Sequence, residues 1–443
     1  MKQRLAALAQ ALRLPDIRQR IFFVMMMFAV YVACAHVPLP GVNLEALERM
    51  FQGGNVFELF NTFVGGSLKR FSVLALGIMP YINASIIMQL LVMAIPQLEA
   101  LQKEGEYGQK KINGWTKYMT VGLSLLQAAG MVGWFRQAGA FEGGWLDAVF
   151  AVTMMTAGTS FLMWLGDMIT DKGIGQGISL IIFAGIMTTI PQQIMQTGTL
   201  VRGGEIGLAN VLALTVLFLA TVWGIIKVQQ AQRKIPIQYA KRVKGNRVYG
   251  GQTTFLPLRV NQAGVIPIIF AISVALFPAT IAQFLSNPGF VEGAARLLHI
   301  GDDAVRNAIS AMVDFTTPGR NWFASVLYFV LVIVFTYFYT AVTFNPEQIA
   351  ENLQKNGGAV PGIRPGERTR DYLDKILYRI TLAGAVFLGV VALLQYYVGD
   401  ITGVRTFGLV GGTSLLIVVG VALDTMQQIE AQLVMRHYKG FLQ

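Results

Sequence analysis

The sequence predicts an all-α integral membrane protein built on ten transmembrane helices, and three observations carry that. Of 443 residues, 54% are hydrophobic and 13% charged, against roughly 25% charged in an average soluble domain. Ten long stretches lack Asp, Glu, Lys and Arg altogether, near 21–39, 72–94, 118–135, 148–166, 176–195, 207–226, 263–285, 322–344, 380–398 and 407–423. Each approaches the roughly 20 residues that a hydrocarbon core about 30 Å thick requires of a helix. Threading those stretches alternately through a bilayer leaves 26 of the 35 basic but only 13 of the 24 acidic residues on the side of the termini. That excess marks the cytoplasmic side.

Taken in order, residues 2–20 form a basic, amphipathic segment too short to span, expected to lie on the cytoplasmic face. Span 1 ends in Ala33-Cys34-Ala35, which has the look of a signal-peptidase site. The apolar run continues past it and nine more spans follow, so it reads as an uncleaved helix. Cys34 is the only cysteine, which excludes an internal disulfide and a cysteine-rich metal site. Residues 56–70, from Val56 to Arg70, have helical apolar spacing but are too short and too charged to cross lipid. They read equally as a re-entrant element or as a helix on the outer surface.

Span 2 carries Gly77, Pro80, Asn83 and Ser85 near its centre, and span 7 carries Pro267 and Pro278. Prolines there free backbone groups that neighbouring helices must satisfy, so both helices are expected to be kinked and interior. Val201 to Glu205 separates five spans from five, the arrangement of an inverted repeat. The predicted divisions are 1–20, 21–201, 202–428 and a tail 429–443. The loop 227–259 holds Arg233, Lys234, Lys241, Arg242, Lys244 and Arg247 with no acid. It serves either as a topology signal with attraction to anionic lipid or as a docking surface for an anionic partner such as ribosomal RNA. Its Arg247-Val248-Tyr249-Gly250-Gly251 run fits a hairpin.

Several chemistries have no residues to perform them. The predicted spans hold no ionisable group, with Asp167, Asp171, Asp400 and Asp424 expected at helix ends, so a coupling-ion site is not visible. His36, His299 and His437 are scattered, which supports neither a metal site nor a histidine relay, and no nucleotide-binding glycine loop with its lysine occurs. No catalytic residues and no cofactor are expected. From physics alone, the competing reading is a secondary transporter of a small solute.

The run Leu76-Gly77-Ile78-Met79-Pro80-Tyr81-Ile82-Asn83-Ala84-Ser85 resembles the span-2 signature of the SecY family, the central subunit of the bacterial protein translocon. Met163-Trp164-Leu165-Gly166-Asp167 with Lys172 to Ser179 resembles its span 4–5 signature. Asn345-Pro346 with Val360 to Glu367 resembles its span 8–9 loop, and Gly411 to Val419 its tenth span. These motifs occur in family order along essentially the whole chain. Where the family pattern varies, this sequence has Asn83 and Gln176.

The resemblance implies an hourglass pore between two pseudo-symmetric, inverted five-helix halves, which opens sideways into lipid. It turns 56–70 into a plug helix, with Phe57, Phe60, Asn61, Phe63, Gly65 and Gly66 as its residues. It places a pore ring at Ile78, Ile82, Ile182, Ile269 and Ile417, and a lateral gate of spans 2 and 3 against 7 and 8. Asn83, Gln127 and Ser273 are polar at mid-span and could latch that gate, with Gln127 and Ser273 reading equally as general helix-packing residues. Loops 227–259 and 345–379 would dock the motor ATPase SecA or the ribosome through Arg242, Lys244, Arg247 and Arg364. Pro361, Gly362, Pro365 and Gly366 would hold Arg364 on an exposed turn. The implied partners are SecE, SecG, SecA, the ribosome, secretory and membrane protein substrates and anionic lipids. The implied location is the bacterial cytoplasmic membrane, with both termini cytoplasmic, which the lack of a transit peptide also favours.

Overall fold

The computed structural model describes residues 14–43, 46–47, 61, 64–137, 139–239, 242–244, 247–249, 253–285, 291, 301–319, 321–404 and 412–440. Helix α1, Pro15–Ala35, starts six residues earlier than the apolar run because Pro15 sits in its first turn with φ preset for a helix. Ile17 is then buried against Ile174 and Ile429. The expected surface segment therefore loses residues 15–20 to the first span, and residues 1–13 lie outside the described ones.

Span 2 departs most from expectation. Residues 64–78 run as successive turns with positive φ at Gly65, Gly66, Phe71 and Gly77, and α2 occupies only Met79–Ala94. Sixteen residues rise about 24 Å, short of the hydrocarbon thickness. The turns are buried within protein, which is where irregular backbone survives at that depth. Their backbone is also paired, Leu39 N–H to Phe71 O at 2.9 Å and Val73 N–H to Val37 O at 3.1 Å. The chain then bends by 99° at Ile95 into α3, Pro96–Lys103.

The long helices follow: α4 Glu106–Gln137, α5 Trp145–Lys172, α6 Gly177–Arg202 and α7 Leu208–Gln230. After them come α8 Ile266–Leu285, the amphipathic α9 Asp302–Thr316, α10 Trp322–Thr343, α11 Pro346–Lys355, α12 Glu367–Thr402 and α13 Thr413–Gly440. Among the described residues, eight helices are long and apolar enough to span, and the bent α2–α3 pair makes nine. Helix α8 fills the interval of the remaining predicted span. Helix α13 continues through the predicted boundary at 428. Buried hydroxyls do not oppose these helices, because they bond within them: Thr116, Thr120 and Thr336 each donate to the carbonyl four residues back.

Helices α1, α2, α4, α5 and α6 pack among themselves, as do α7, α8, α10, α12 and α13. The two five-helix groups meet through α6 against α13 and α4 against α8. The first group has its own core around Phe71, whose ring meets Phe135 edge-on at 5.0 Å; the second centres on Tyr328, Val332 and Leu388. Outer faces keep apolar stripes for lipid, such as Leu208, Leu212, Val216, Leu219 and Trp223 on α7. Lys227 Nζ stands 5.8 Å from the Trp223 ring at the end of that stripe, as at a membrane interface.

Small residues set a close helix crossing. A Cβ on Gly177 would lie 1.8 Å from the Gly166 carbonyl oxygen, so α6 can cross α5 only with glycine there. Gly177→Ala is expected to cost about 1–3 kcal/mol, the scale of overpacking a fixed backbone. A thermal unfolding midpoint equal to the parent's would contradict this crossing.

The all-α expectation needs one correction. Strands β1 Gln232–Tyr239 and β4 Thr253–Arg259 form an antiparallel ladder from Gln232↔Arg259 to Gln238↔Thr253. Between them, β2 Arg242–Lys244 and β3 Arg247–Tyr249 make the expected hairpin. Strand β5, Gly358–Ala359, joins β1, so the two long loops form one sheet. Ile235 and Ile237 are buried while Lys234, Pro236 and Gln238 face outward, the alternation of a one-sided strand. Ile235 and Leu258 pack with Phe344, Val360, Leu373 and Ile376, which fastens the sheet to α10 and α12.

Candidate functional site

The two helix groups share one apolar cluster between them. Ile78 closes the turn segment just before α2, Ile182 lies on α6 and Ile417 on α13, with exposures of 5, 6 and 2%. Ile82, one turn along α2, and Ile269 on α8 pack against the same cluster. Five isoleucines scattered over 340 positions of sequence thus converge from both halves on one apolar cluster at the waist between them.

Residues 64–65 reach its edge, while Leu68 packs into the Phe71 core of the first group. Val64 is 4% exposed and in reach of Gly77, where a Cβ would come 3.0 Å from its Cγ1. Tyr31 of α1 donates its hydroxyl to Val64 O at 3.3 Å, and Thr188 of α6 donates to Gly65 O at 3.3 Å and Gly185 O at 2.7 Å. Asn61 accepts the Gly66 amide on its carbonyl at 2.8 Å and the Lys69 amide on its side chain at 2.9 Å. Two long bonds to the body, each worth about 1 kcal/mol net, hold the start of this 64–70 cap, and the buried side chains of Val64 and Leu68 seat the rest. Phe57, Phe60 and Phe63 lie outside the described residues.

Asn83 on α2, Gln127 on α4 and Ser273 on α8 are all half-buried, yet they do not form a hydrogen-bonded latch. Ser273 Oγ donates to Ile269 O of its own helix at 2.8 Å, and among the described residues no bond joins it to Asn83 or Gln127. Contact between α4 and α8 is instead sparse. Asp167 and Asp424 lie inside α5 and α13, not at their ends as expected. Asp167 is paired with Lys117 of α4, Nζ to Oδ2 at 2.5 Å. Both side chains stay more than two-fifths exposed, so neither is a buried ion site.

At the sheet end, Lys244 pairs across β2 and β3 with Arg247, and Arg242 with Tyr249. Arg364 stands exposed on a turn with φ +80° at Gly362 and +97° at Gly366, both accessible to glycine. Thr369 donates its hydroxyl to Arg364 O at 2.9 Å, which fixes the turn, and the guanidinium has no ion pair among the described residues.

The SecY family model matches residues 72–426. The chain belongs to the SecY family. It is 45% identical over 442 residues to the protein translocase subunit SecY of Halalkalibacterium halodurans, covering 97% of this chain and 98% of that one. It is 44% identical over 441 residues to the same subunit of Bacillus subtilis, with the same coverage. A solved structure described as a protein-conducting channel superposes with a TM-score of 0.66 at 18% identity, over 95% of this chain and 94% of that one. Sec61 in a canine ribosome–channel complex gives 0.63 at 17% identity, with the same coverage.

Within this SecY-family fold, sequence reasoning missed the seat of the cap: Tyr31, Gly185 and Thr188. They are ordinary residues of two spans, and only the approach of residues 64–65 gives them a role. The Lys117–Asp167 pair was missed for another reason. A span bounded by charges places every charge outside by construction.

Proposed function

We propose that the chain is the channel subunit of a protein translocase, which passes unfolded secretory polypeptides across the cytoplasmic membrane and releases hydrophobic segments sideways into lipid. The convergence of Ile78, Ile82, Ile182, Ile269 and Ile417 from both halves carries this reading. Aliphatic side chains dewet a constriction against ions and can part around a peptide without holding it. Residues 64–70 are the described end of the plug 56–70, in turns where a helix is expected, and an entering chain displaces them from Tyr31 and Thr188. Release to lipid runs between α4 and α8, where the contact is thin enough for a signal sequence to replace. Among the described residues the solute-transporter reading finds no buried charge to couple an ion at the Lys117–Asp167 pair, which is half-exposed and internally neutralised.

The sheet and the Arg364 turn form the docking face for SecA or the translating ribosome, which supply the energy. Two similar structures, canine Sec61 and yeast Ssh1, the latter at a TM-score of 0.59, were solved in ribosome complexes. SecE and SecG complete the assembly, and both termini face the cytoplasm. Reconstitution with SecE, SecG and SecA tests this through ATP-dependent protection of a precursor inside vesicles. Arg364→Glu is expected to lower that protection at least about tenfold, the scale of an interface hot-spot arginine, with unfolding unchanged. No protection by a correctly inserted parent protein would overturn the channel assignment.

A further inference from the structure

The outer face of the second half carries a built cleft that the channel reading does not use. On α10, Val326, Val330 and Val334 are exposed one turn apart; on its neighbour α12, so are Tyr378, Leu382, Val386 and Val390. Both stripes run toward a cleft of about 530 Å³ between the last turns of α10 and the early turns of α12. Tyr337, Phe344, Asp374, Lys375, Tyr378 and Arg379 are among its lining residues. The Tyr337 hydroxyl donates to Tyr378 O at 3.0 Å and the two rings stand 5.0 Å apart, which gives the cleft a fixed aromatic wall.

Its height along the helices is set by the sequence. Arg379 is the last charged residue of α12 before Asp400, and α10 has none. The cleft thus opens where hydrocarbon gives way to headgroups, the level at which tyrosines also collect. Lys375 and Arg379 are exposed, one helical turn apart, and neither has a carboxylate within ion-pair distance among the described residues. Like charges at that spacing repel, and an anion between them removes the repulsion. Asp374, also exposed and without an ion pair among the described residues, adds a carboxylate at the same mouth; Asp371 beside it is engaged by Arg370 at 3.4 Å.

We propose that this cleft binds one phosphatidylethanolamine molecule of the leaflet on the sheet side. Lys375 and Arg379 take the phosphate, Asp374 the primary ammonium, and the α10 and α12 stripes the acyl chains. The pattern of two cations and a carboxylate over an apolar channel matches a zwitterionic headgroup better than a purely anionic one.

The test is native mass spectrometry of the delipidated full chain, titrated separately with phosphatidylethanolamine, phosphatidylcholine and phosphatidylglycerol. One site is expected to prefer phosphatidylethanolamine over phosphatidylcholine about tenfold, as one charge-assisted hydrogen bond implies. Asp374→Asn should remove that preference. Lys375→Gln with Arg379→Gln should weaken both lipids at least about tenfold, whereas Arg368→Gln, elsewhere on α12, should change neither. Variants are compared only where their unfolding midpoints equal the parent's. Tighter binding of phosphatidylglycerol at the variant-sensitive site would overturn the proposal. So would competition by chainless phosphoethanolamine at equal concentration, or lipid binding indifferent to Asp374, Lys375 and Arg379.

Discussion

Exchanging Ile182 and Ile417 together for asparagine is expected to make the membrane leak ions. Both side chains are buried at the waist, one from each half. An amide there either stays dry, which costs about 2 kcal/mol or more, or draws water into the constriction. Each 1.4 kcal/mol gained by the wetted state multiplies its population by about ten, so vesicle ion flux should rise at least tenfold. Ile182→Val with Ile417→Val keeps the seal, at about 0.5–1.5 kcal/mol of stability per site. Leu388→Asn separates leak from general loosening. It places the same amide in the core of the second half, away from the waist, and should destabilise without conducting.

The second large effect concerns the cap. Gly65 has φ +69°, and a Cβ there would lie 2.8 Å from Thr188 Oγ1, 2.9 Å from Gly185 Cα and 2.9 Å from the Tyr31 hydroxyl. Gly65→Ala adds left-handed strain of about 1–2 kcal/mol to a clash with backbone, at the point where Tyr31 and Thr188 hold the segment. The cap should unseat, raising both ion leak and passage of precursors with weakened signal sequences. Gly66 is the matched control. Its φ is +79°, but nothing lies within 4 Å of its Cβ position, so Gly66→Ala carries the strain without the clash. Hydrogen exchange over 64–70 should quicken strongly in the first variant and little in the second. Equal behaviour of the two would show that the cap is not held at this seat.

Much of this architecture was legible in the sequence because lipid imposes a simple rule, long stretches without charge. Charge-free runs located a helix in each of the ten intervals, and Lys and Arg in 227–259 marked the extramembrane sheet. What failed were features set by tertiary contact. Hydropathy cannot see that residues 72–78 are turns, because those turns are as apolar as a helix and are buried by neighbours instead of lipid. Nor can it pair β1 with β5, whose partners are more than a hundred residues apart.

The candidate site divides in the same way. Ile78 and Ile417 are indistinguishable from lipid-facing isoleucines by periodicity, and only the family motifs singled them out before the fold brought them together. Asn83, Gln127 and Ser273 are polar residues at mid-span, but a serine in a helix has its own i−4 carbonyl within reach, and Ser273 uses it.

The most direct test of a peptide path is a photo-crosslinker at Ile182 or Ile417, with a second set at Val216 and Leu219 on the lipid-facing stripe of α7. A stalled secretory chain is supplied to vesicles holding this protein, SecE, SecG and SecA. Crosslinks at Ile182 and Ile417 that require both the signal sequence and ATP, with none at Val216 or Leu219, are the predicted result. No crosslink at the waist, while the same vesicles import the unstalled precursor, would contradict a path through the isoleucine cluster.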